Sequence, residues 1–191
     1  FKMLCSSLKL LVEKDKNLLN NLDEISSGFS KCMEEEIQIM WSKKLGIKRY
    51  DENLIKKLFN LMIITQVDFT KFFRKLSIIP NNVFDLKESF YKPCSKELET
   101  SWNIWLKSWK SSLDKSGDIK DISNSMLQIN PKYTWREWLV VSAYEKAEKG
   151  DLSEFKELQN IFKDPYGDNS SELNKKYDRL RPVSYTHLTL P

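Results

Sequence analysis

The stretch NPKYTWREWLVVSAYEKAEKGD, residues 130–151, contains its own start and stop signals for a helix. Asn130 can accept a backbone N–H bond as an N-cap, and Pro131 suits the first helical position because its φ is fixed and it needs no donor. Gly150 supplies the left-handed residue with which many helices end. The stretch therefore predicts a helix from Pro131 to just before Gly150. Its apolar face is expected to contain Trp135, Trp138, Leu139 and Ala143.

A second helix is expected over residues 152–162, with Asp151 or Ser153 as its cap. Pro165 ends it, because the residue before a proline avoids the helical region. The two helices are predicted to fold back on each other as a C-terminal helical hairpin.

The composition favours a helix-rich globular chain. The 191 residues are 40% apolar and 30% charged, with only five glycines and six prolines. One compact domain over residues 1–182 fits this length. The net charge of +4 is mild and evenly spread, so it does not by itself indicate a nucleic-acid partner.

Several functional classes find no support in the sequence. Cys5, Cys32 and Cys94 lie far apart and without a Cys-x-x-Cys pair, which favours free thiols over disulfides or structural zinc. No apolar run reaches the roughly 18 residues that a membrane span needs. The chain begins at Phe1 with no signal-like segment, so we interpret it as a piece of a longer protein.

Apolar periodicity predicts further helices before the hairpin. Asp51, Asp68 and Ser95 are expected as N-caps. Residues 78–93 are expected to form a loop whose Phe84, Leu86 and Phe90 pack on the core. The predicted helices cover residues 1–12 with a Leu4, Leu8 and Leu11 stripe, 28–45 with Phe29, Met33, Ile37, Met40 and Trp41 on one face, 52–65, 69–76, a long helix after Ser95, and 119–127.

The helix after Ser95 is rich in tryptophan. One stripe holds Leu98, Trp102, Trp105, Leu106, Trp109 and Leu113. Indoles interleaved with lysines are compatible with stacking on single-stranded nucleic acid. Indoles spaced by three and four on an amphipathic helix are typical of core anchors, and we predict that role.

No catalytic, cofactor-binding or metal-binding residue is predicted within the chain. The glycines are isolated, so they cannot build a phosphate-binding loop, and the one histidine, His187, has no partner nearby. Asp68-Phe69-Thr70 resembles the kinase Asp-Phe-Gly triplet but lacks its glycine, and we interpret Asp68 as a cap. Asp68, Glu137 and Glu145 are the available carboxylate acids or bases, and each has an ordinary helical explanation.

Two blocks of short motifs carry a family resemblance. The first comprises Asn130-Pro131-Lys132-Tyr133, Arg136, Ala147-Glu148-Lys149-Gly150-Asp151 and Asp164-Pro165-Tyr166. The second comprises Lys44-Leu45-Gly46, Leu58-Phe59, Leu61-Met62, Asp68-Phe69-Thr70, Phe73-Arg74 and Leu76-Ser77. In order and spacing they resemble the C-terminal region of the selenoprotein O family, also called SelO or YdiU-type proteins, over about residues 1–182.

The chain departs from the family pattern at a few places. Glu137 and Val141 stand where the family usually has Asn and Gln. The match stops near Pro182, before the family's cysteine or selenocysteine tail. We interpret residues 183–191, which include His187, as a non-native tail.

The resemblance implies a fold and an activity for the full-length protein. This all-α bundle would be the C-terminal extension of a protein-kinase-like (pseudokinase) fold. The whole protein would use ATP and Mg²⁺ to transfer AMP to Ser, Thr or Tyr hydroxyls of protein substrates, in mitochondria or alternatively in the cytoplasm. The family's ATP-binding lysine, metal-binding acids and phosphate-contacting arginines would all lie upstream of Phe1.

We therefore expect this fragment to bind no cofactor itself and to act as a scaffold for the upstream catalytic lobes of the same polypeptide. Lys132 and Arg136 are candidates for contacts to those lobes, and solvated helix charges are the alternative interpretation of both. Neither a nucleic acid nor a membrane is expected as a partner. The alternative function is a stand-alone helical interaction module without catalysis, with weak nucleic-acid binding as one form of it.

Overall fold

The computed structural model describes residues 1–114 and 117–182 of the chain. These residues form nine α-helices and one 3₁₀ helix, with no strand among them, which confirms the all-α prediction. The predicted tail, residues 183–191, lies outside the described residues. The helices are α1 Lys2–Leu11, α2 Lys16–Leu45, α3 Glu52–Thr65, α4 Phe69–Leu76, the 3₁₀ helix Val83–Ser89, α5 Lys96–Ser112, α6 Ile119–Ile129, α7 Glu137–Glu148, α8 Ser153–Ile161 and α9 Ser171–Tyr177.

The predicted caps of three helices are confirmed. The side chains of Asp51, Asp68 and Ser95 each accept the backbone N–H of the residue three positions later, at the starts of α3, α4 and α5. Each bond satisfies one of the N–H groups that the first turn of a helix leaves without an intrahelical partner. None of the described helices is long and apolar enough to cross a membrane.

Helix α2 is longer than predicted, because it begins at Lys16 and continues through Gly28. Asp15 starts it by accepting the backbone N–H groups of Asn17 and Leu18, at 3.0 and 3.2 Å. A glycine inside a helix costs only about 1 kcal/mol relative to alanine, and the roughly three turns of helix before Gly28 outweigh that cost.

The chain divides into two compact units, residues 1–41 and residues 42–191. In the first unit, α1 packs on the N-terminal part of α2. The Phe1 and Phe29 rings stack with centroids 3.8 Å apart, and Cys5 is buried between the helices. The predicted helix is confirmed, but its Leu4, Leu8 and Leu11 stripe is exposed, since Cys5 lies on the buried face instead.

The second unit has its main core around the tryptophans of α5. Trp102, Trp105 and Trp109 are at most 3% exposed, so their predicted role as core anchors is confirmed and their rings are not available for stacking on bases. The Nε1–H of Trp105 donates to Leu54 O at 2.9 Å, and that of Trp109 donates to Leu45 O at 2.7 Å. These bonds attach α5 to α3 and to the end of α2.

Residues 78–93 are more regular than a loop, because the 3₁₀ helix lies within them. Asn82 and Asp85 form a reciprocal capping box that starts it. Leu86 and Phe90 are buried as predicted. The prediction for Phe84 is wrong, since its side chain is 59% exposed.

The hairpin exists, but its first helix starts six residues later than predicted. Asn130 ends α6 instead of capping α7, and residues 131–136 are not helical. The Pro165 carbonyl accepts the backbone N–H groups of Lys132 and Tyr133, at 2.8 and 3.1 Å, which holds this segment beside the end of the hairpin. Trp135 is consequently outside the helix and 60% exposed.

The hairpin has a small core of its own, made by α7, α8 and α9. Gly150 lies two residues after the end of α7 and has the left-handed conformation that the sequence predicted, with φ of +83°. Helix α8 begins at Ser153 with Leu152 at its N-cap position and no side-chain cap bond, so the predicted Asp151 or Ser153 cap is wrong. Asp151 accepts the Ser153 backbone N–H at 2.9 Å just before the helix. The buried residues are Tyr133, Trp138, Leu139, Val140, Ala143, Leu158, Ile161 and Tyr177.

Candidate functional site

The carboxylate of Asp68 lies at the point where the two motif blocks meet. Asp68 is 5% exposed, and its Oδ1 accepts the Lys71 backbone N–H at 3.0 Å as the cap of α4. The guanidinium of Arg136 donates to the same carboxylate twice, from Nη1 to Oδ2 at 2.6 Å and from Nη2 to Oδ1 at 2.8 Å. Such a bidentate pair fixes both distance and orientation, because the arginine fork matches the planar carboxylate.

Tyr91 completes the shell around this carboxylate. Its hydroxyl donates to Asp68 Oδ2 at 3.1 Å. Burial and the neighbouring Asp68 charge raise the pKa of the Tyr91 hydroxyl, so it stays a donor at neutral pH. With a backbone amide, a guanidinium and a phenol bound to it, Asp68 acts as a structural anchor, which supports the cap interpretation over the kinase-triplet likeness.

An open cleft of about 480 Å³ lies over this pair, and we call it the Asp68–Arg136 cleft. Thr70 and Thr134 share a hydrogen bond of 3.1 Å on its wall, and Arg136 Nε donates to Thr134 at 3.3 Å. The charges of Asp68 and Glu137 are balanced by those of Arg136 and Arg181. Its lining residues are Val67, Asp68, Phe69, Thr70, Tyr91, Thr134, Arg136, Glu137, Trp138 and Arg181.

A second polar cluster surrounds Asn130, whose side chain is fully buried. Its Oδ1 accepts from Lys44 Nζ at 2.7 Å, while its Nδ2 donates to Lys44 O at 2.8 Å and to Ser77 Oγ at 2.9 Å. The Lys44 ammonium also lies 4.4 Å from the centroid of the Phe73 ring. Burial lowers the pKa of Lys44 to about 8.

Arg74 links the motif blocks at a third point. Its Nη1 donates to the carbonyls of Leu127 and Asn130, at 3.0 and 3.1 Å, and its Nη2 donates to Tyr166 O at 2.8 Å. Burial lowers the pKa of Arg74, although the group stays charged because arginine titrates far above neutral pH. One side chain of α4 thus holds the end of α6 and the segment after α8.

The two candidates for contacts to catalytic lobes are both in ion pairs. Arg136 binds Asp68, with 18% of its side chain exposed, and Lys132 binds Asp168, with 12% exposed. The Lys132 pair holds the pKa of the Asp168 carboxyl below its usual range. Neither residue is a solvated helix charge, because both precede α7 in the non-helical segment. Their contacts to other lobes stay a prediction.

Of the three candidate carboxylates, Asp68 and Glu137 both line the Asp68–Arg136 cleft, and Glu145 is not among its lining residues. Asp68 is buried, whereas Glu137 and Glu145 are exposed on α7. Among residues 1–114 and 117–182, no three His, Cys, Asp or Glu side chains are grouped so that they could hold a metal ion.

Some partners in these clusters had no signal in the sequence. Lys71 donates to the carboxylate of Asp178 at 2.7 Å and to its carbonyl at 2.9 Å, across 107 residues of sequence. The roles of Tyr91 and Ser77 were likewise not predicted. Contacts between distant segments leave no local periodicity, so only the motif spacing of Asp68 and Arg136 indicated this region.

Comparison with known proteins agrees with the motif blocks. The family model of protein adenylyltransferase SelO matches residues 1–163 of the chain. The chain belongs to the SelO family. This confirms the resemblance, and the SelO match includes both Asp68 and Arg136.

Three curated relatives of this chain carry the name protein nucleotidyltransferase YdiU. The one from Thioalkalivibrio sulfidiphilus is 32% identical over 76% of this chain and 29% of its own length. The one from Vibrio parahaemolyticus is 30% identical over 94% of this chain and 36% of its own length. A third, from Tolumonas auensis, is 27% identical over 81% of this chain and 31% of its own length. The chain therefore spans about a third of the length of these relatives.

Proposed function

We propose that this chain is the helical scaffold of a protein adenylyltransferase, and that the full-length protein transfers AMP from ATP to Ser, Thr or Tyr hydroxyls of other proteins. Membership of a family of protein nucleotidyltransferases supports the reaction class. The pseudokinase fold, the use of Mg²⁺ and a mitochondrial location belong to the same proposal.

One observation carries the scaffold role: the side chains of four motif residues are bound to other parts of the same chain, namely those of Asp68, Arg74, Asn130 and Arg136. Asp68 is bound by Arg136, Tyr91 and a backbone amide, and Arg74 by three carbonyls. Asn130 has both its amide atoms occupied. Side chains that act on a substrate need donor or acceptor capacity directed at that substrate, whereas these hold the hairpin to α4.

Calorimetric titration of the chain with ATP and Mg²⁺ tests the scaffold role. We expect no binding heat, because the proposal places the nucleotide site outside this chain. Micromolar affinity for ATP with Mg²⁺ would contradict it. A titration with AMP in place of ATP controls for nonspecific nucleotide binding.

The proposed reaction needs a separate test on the full-length protein that contains this chain. That protein is incubated with acceptor proteins and ATP labelled on either the α or the γ phosphate. AMP transfer places the α label on the acceptor and leaves the γ label in pyrophosphate. Acceptors labelled only from the γ phosphate would show phosphate transfer and refute the adenylyltransferase proposal.

A further inference from the structure

The amine of Lys44, near the end of α2, is a nucleophilic group that the proposed scaffold role does not use. Its Nζ donates to Asn130 Oδ1 at 2.7 Å and lies 4.4 Å from the centroid of the Phe73 ring and 5.2 Å from that of Phe69. All three partners are uncharged. Among the residues that the structure describes, no carboxylate lies within ion-pair distance of this amine.

The absence of a counter-charge sets Lys44 apart from the buried Lys71, which binds the carboxylate of Asp178. The second charged group bound to Asn130 is also a cation, because Arg74 of α4 donates to the Asn130 carbonyl at 3.1 Å. Removing an ammonium from water without a counter-charge is costly. Burial therefore lowers the pKa of Lys44 to about 8. A lysine desolvated in this way is a better nucleophile, because more of it is the neutral amine.

The contacts of Lys44 suit an uncharged nitrogen as well as an ammonium. The Asn130 amide oxygen needs only an N–H donor, which a neutral amine or an amide also supplies. The faces of Phe69 and Phe73 attract a cation, and they also pack against apolar carbon. The site therefore keeps its hydrogen bond and its packing after the charge is lost.

A small reagent can reach this amine. Lys44 is partly exposed, and the Phe69 side chain beside it is 46% exposed. Asn130 is fully buried and closes the opposite side. The approach from the Phe69 side admits a short acyl group, whereas a bulky one would have to displace the ring.

We propose that Lys44 is a site of N-acylation by a short-chain activated acyl group, carried as a thioester or as an acyl phosphate. The neutral Nζ forms a bond to the acyl carbonyl carbon while the carbon–sulfur or carbon–oxygen bond breaks, and the leaving thiol or phosphate takes the proton. The amide that results keeps one N–H for Asn130 Oδ1, places its alkyl group on the Phe69 ring and removes a poorly hydrated charge. The site does not depend on the scaffold role.

Incubation of the whole chain with acetyl coenzyme A or, in a parallel arm, with acetyl phosphate tests the proposal. Peptide mass spectrometry follows acetylation over time, with fragment spectra that separate Lys44 from its exposed neighbour Lys43. At pH 8 about half of Lys44 is neutral, against less than about 1% of a lysine with an ordinary pKa. Because burial also slows the approach of the reagent, we expect Lys44 to react at least about fivefold faster than Lys43. Reaction with only one donor would identify the source of the acyl group.

Two further measurements separate the folded site from the local sequence. The rate at Lys44 should level off above about pH 9, whereas the rate at Lys43 should still rise toward pH 10, because an amine gains no further reactivity once it is neutral. Asn130→Asp places a carboxylate beside the amine, which favours the ammonium, so acetylation of Lys44 at pH 8 should fall by about tenfold while that of Lys43 is unchanged. A urea titration shows whether this variant is folded.

Several results would overturn the proposal. Equal rates at Lys43 and Lys44 with both donors would do so, as would a Lys44 advantage that persists in the urea-unfolded chain, since the fold would then contribute nothing. An unchanged Lys44 rate in folded Asn130→Asp would show that the charge state of the amine does not control the reaction. If that variant does not fold, the pH profile of the parent chain decides, and parallel profiles for the two lysines up to pH 10 would refute the site.

Discussion

Replacing Arg136 with Met should destabilise the second unit by about 3 kcal/mol, because the substitution removes the cation from a carboxylate that stays buried. Asp68 is 5% exposed and receives two short bonds from Arg136, of 2.6 and 2.8 Å. After the change, the Lys71 amide and the Tyr91 hydroxyl are the donors that remain to it among residues 1–114 and 117–182. Methionine fills most of the arginine volume, so the loss is electrostatic and not a cavity effect.

The magnitude follows from how far the pair is shielded from water. Removing one partner of a buried ion pair costs about 3–5 kcal/mol. Arg136 keeps 18% of its side chain exposed and faces an open cleft, so water can reach the freed carboxylate. The lower end of the range therefore applies. For a chain of this length about 3 kcal/mol corresponds to a fall in Tm of about 6–12 °C.

Urea unfolding followed by tryptophan fluorescence is the assay. The indoles of α5 are buried in the second unit and report on its unfolding, and an unchanged slope with urea indicates that the transition itself is the same. Arg136→Lys keeps the charge but loses the fork, so we expect an intermediate midpoint. Lys56→Ala removes an exposed pair with Glu52 and should leave the midpoint unchanged.

A double-mutant cycle with Asp68→Asn decides whether the pair itself is responsible. We expect the double variant to be less destabilised than the sum of the single variants by about 1–3 kcal/mol, because the second change removes the unpaired charge. Strict additivity, or an Arg136→Met midpoint equal to that of the parent chain, would refute the assignment of this ion pair as a buried anchor.

Three further predictions follow from single contacts. Gly46→Ala should cost about 2–4 kcal/mol, because φ is +63° and a Cβ would lie 2.7 Å from the sulfur of Met126. Gly150→Ala should cost only about 1 kcal/mol, because φ is +83° but a Cβ there would meet no other atom within 4 Å. The urea midpoints of the two variants check this difference. Trp109→Phe should cost about 2 kcal/mol, because the smaller phenylalanine ring makes fewer packing contacts and cannot donate to the Leu45 carbonyl. A urea midpoint equal to that of the parent chain would contradict this prediction. Burial lowers the pKa of Lys44 to about 8, so between about pH 8 and 10 the unfolded chain binds more protons than the folded chain. The stability of the parent chain should therefore rise over this range relative to that of Lys44→Met. A difference in urea midpoint that stays constant across the range would refute the lowered pKa.

Local rules predicted the helices of this chain well, because their signals lie within a few residues. The Asp51, Asp68 and Ser95 caps and the α5 tryptophan stripe were all predicted from spacing and side-chain type alone. Each of these features satisfies its own backbone groups or buries its own face, so distant parts of the chain do not alter it.

The start of α7 was mispredicted because a distant contact outweighs a local signal. Asn130 and Pro131 are an ordinary helix start. In the structure the Asn130 side chain binds Lys44 and Ser77 instead, and the following amides bind Pro165 O. An asparagine that makes three buried hydrogen bonds to other segments gains more than one that caps its own helix, and the sequence does not show those partners.

The polar clusters give the motif residues Asp68, Arg74 and Arg136 a structural role. A buried ion pair contributes little net stability compared with apolar residues of the same shape, so stability alone gives no reason for Asp68 and Arg136. A bidentate pair does fix the angle at which the segment before α7 meets α4, because the fork tolerates only one arrangement. Arg74 fixes the end of α6 and the Tyr166 carbonyl in the same way. We therefore infer that these charges define the orientation of the hairpin, and that an apolar replacement of the Asp68–Arg136 pair would leave the chain folded while allowing the hairpin to shift relative to α4.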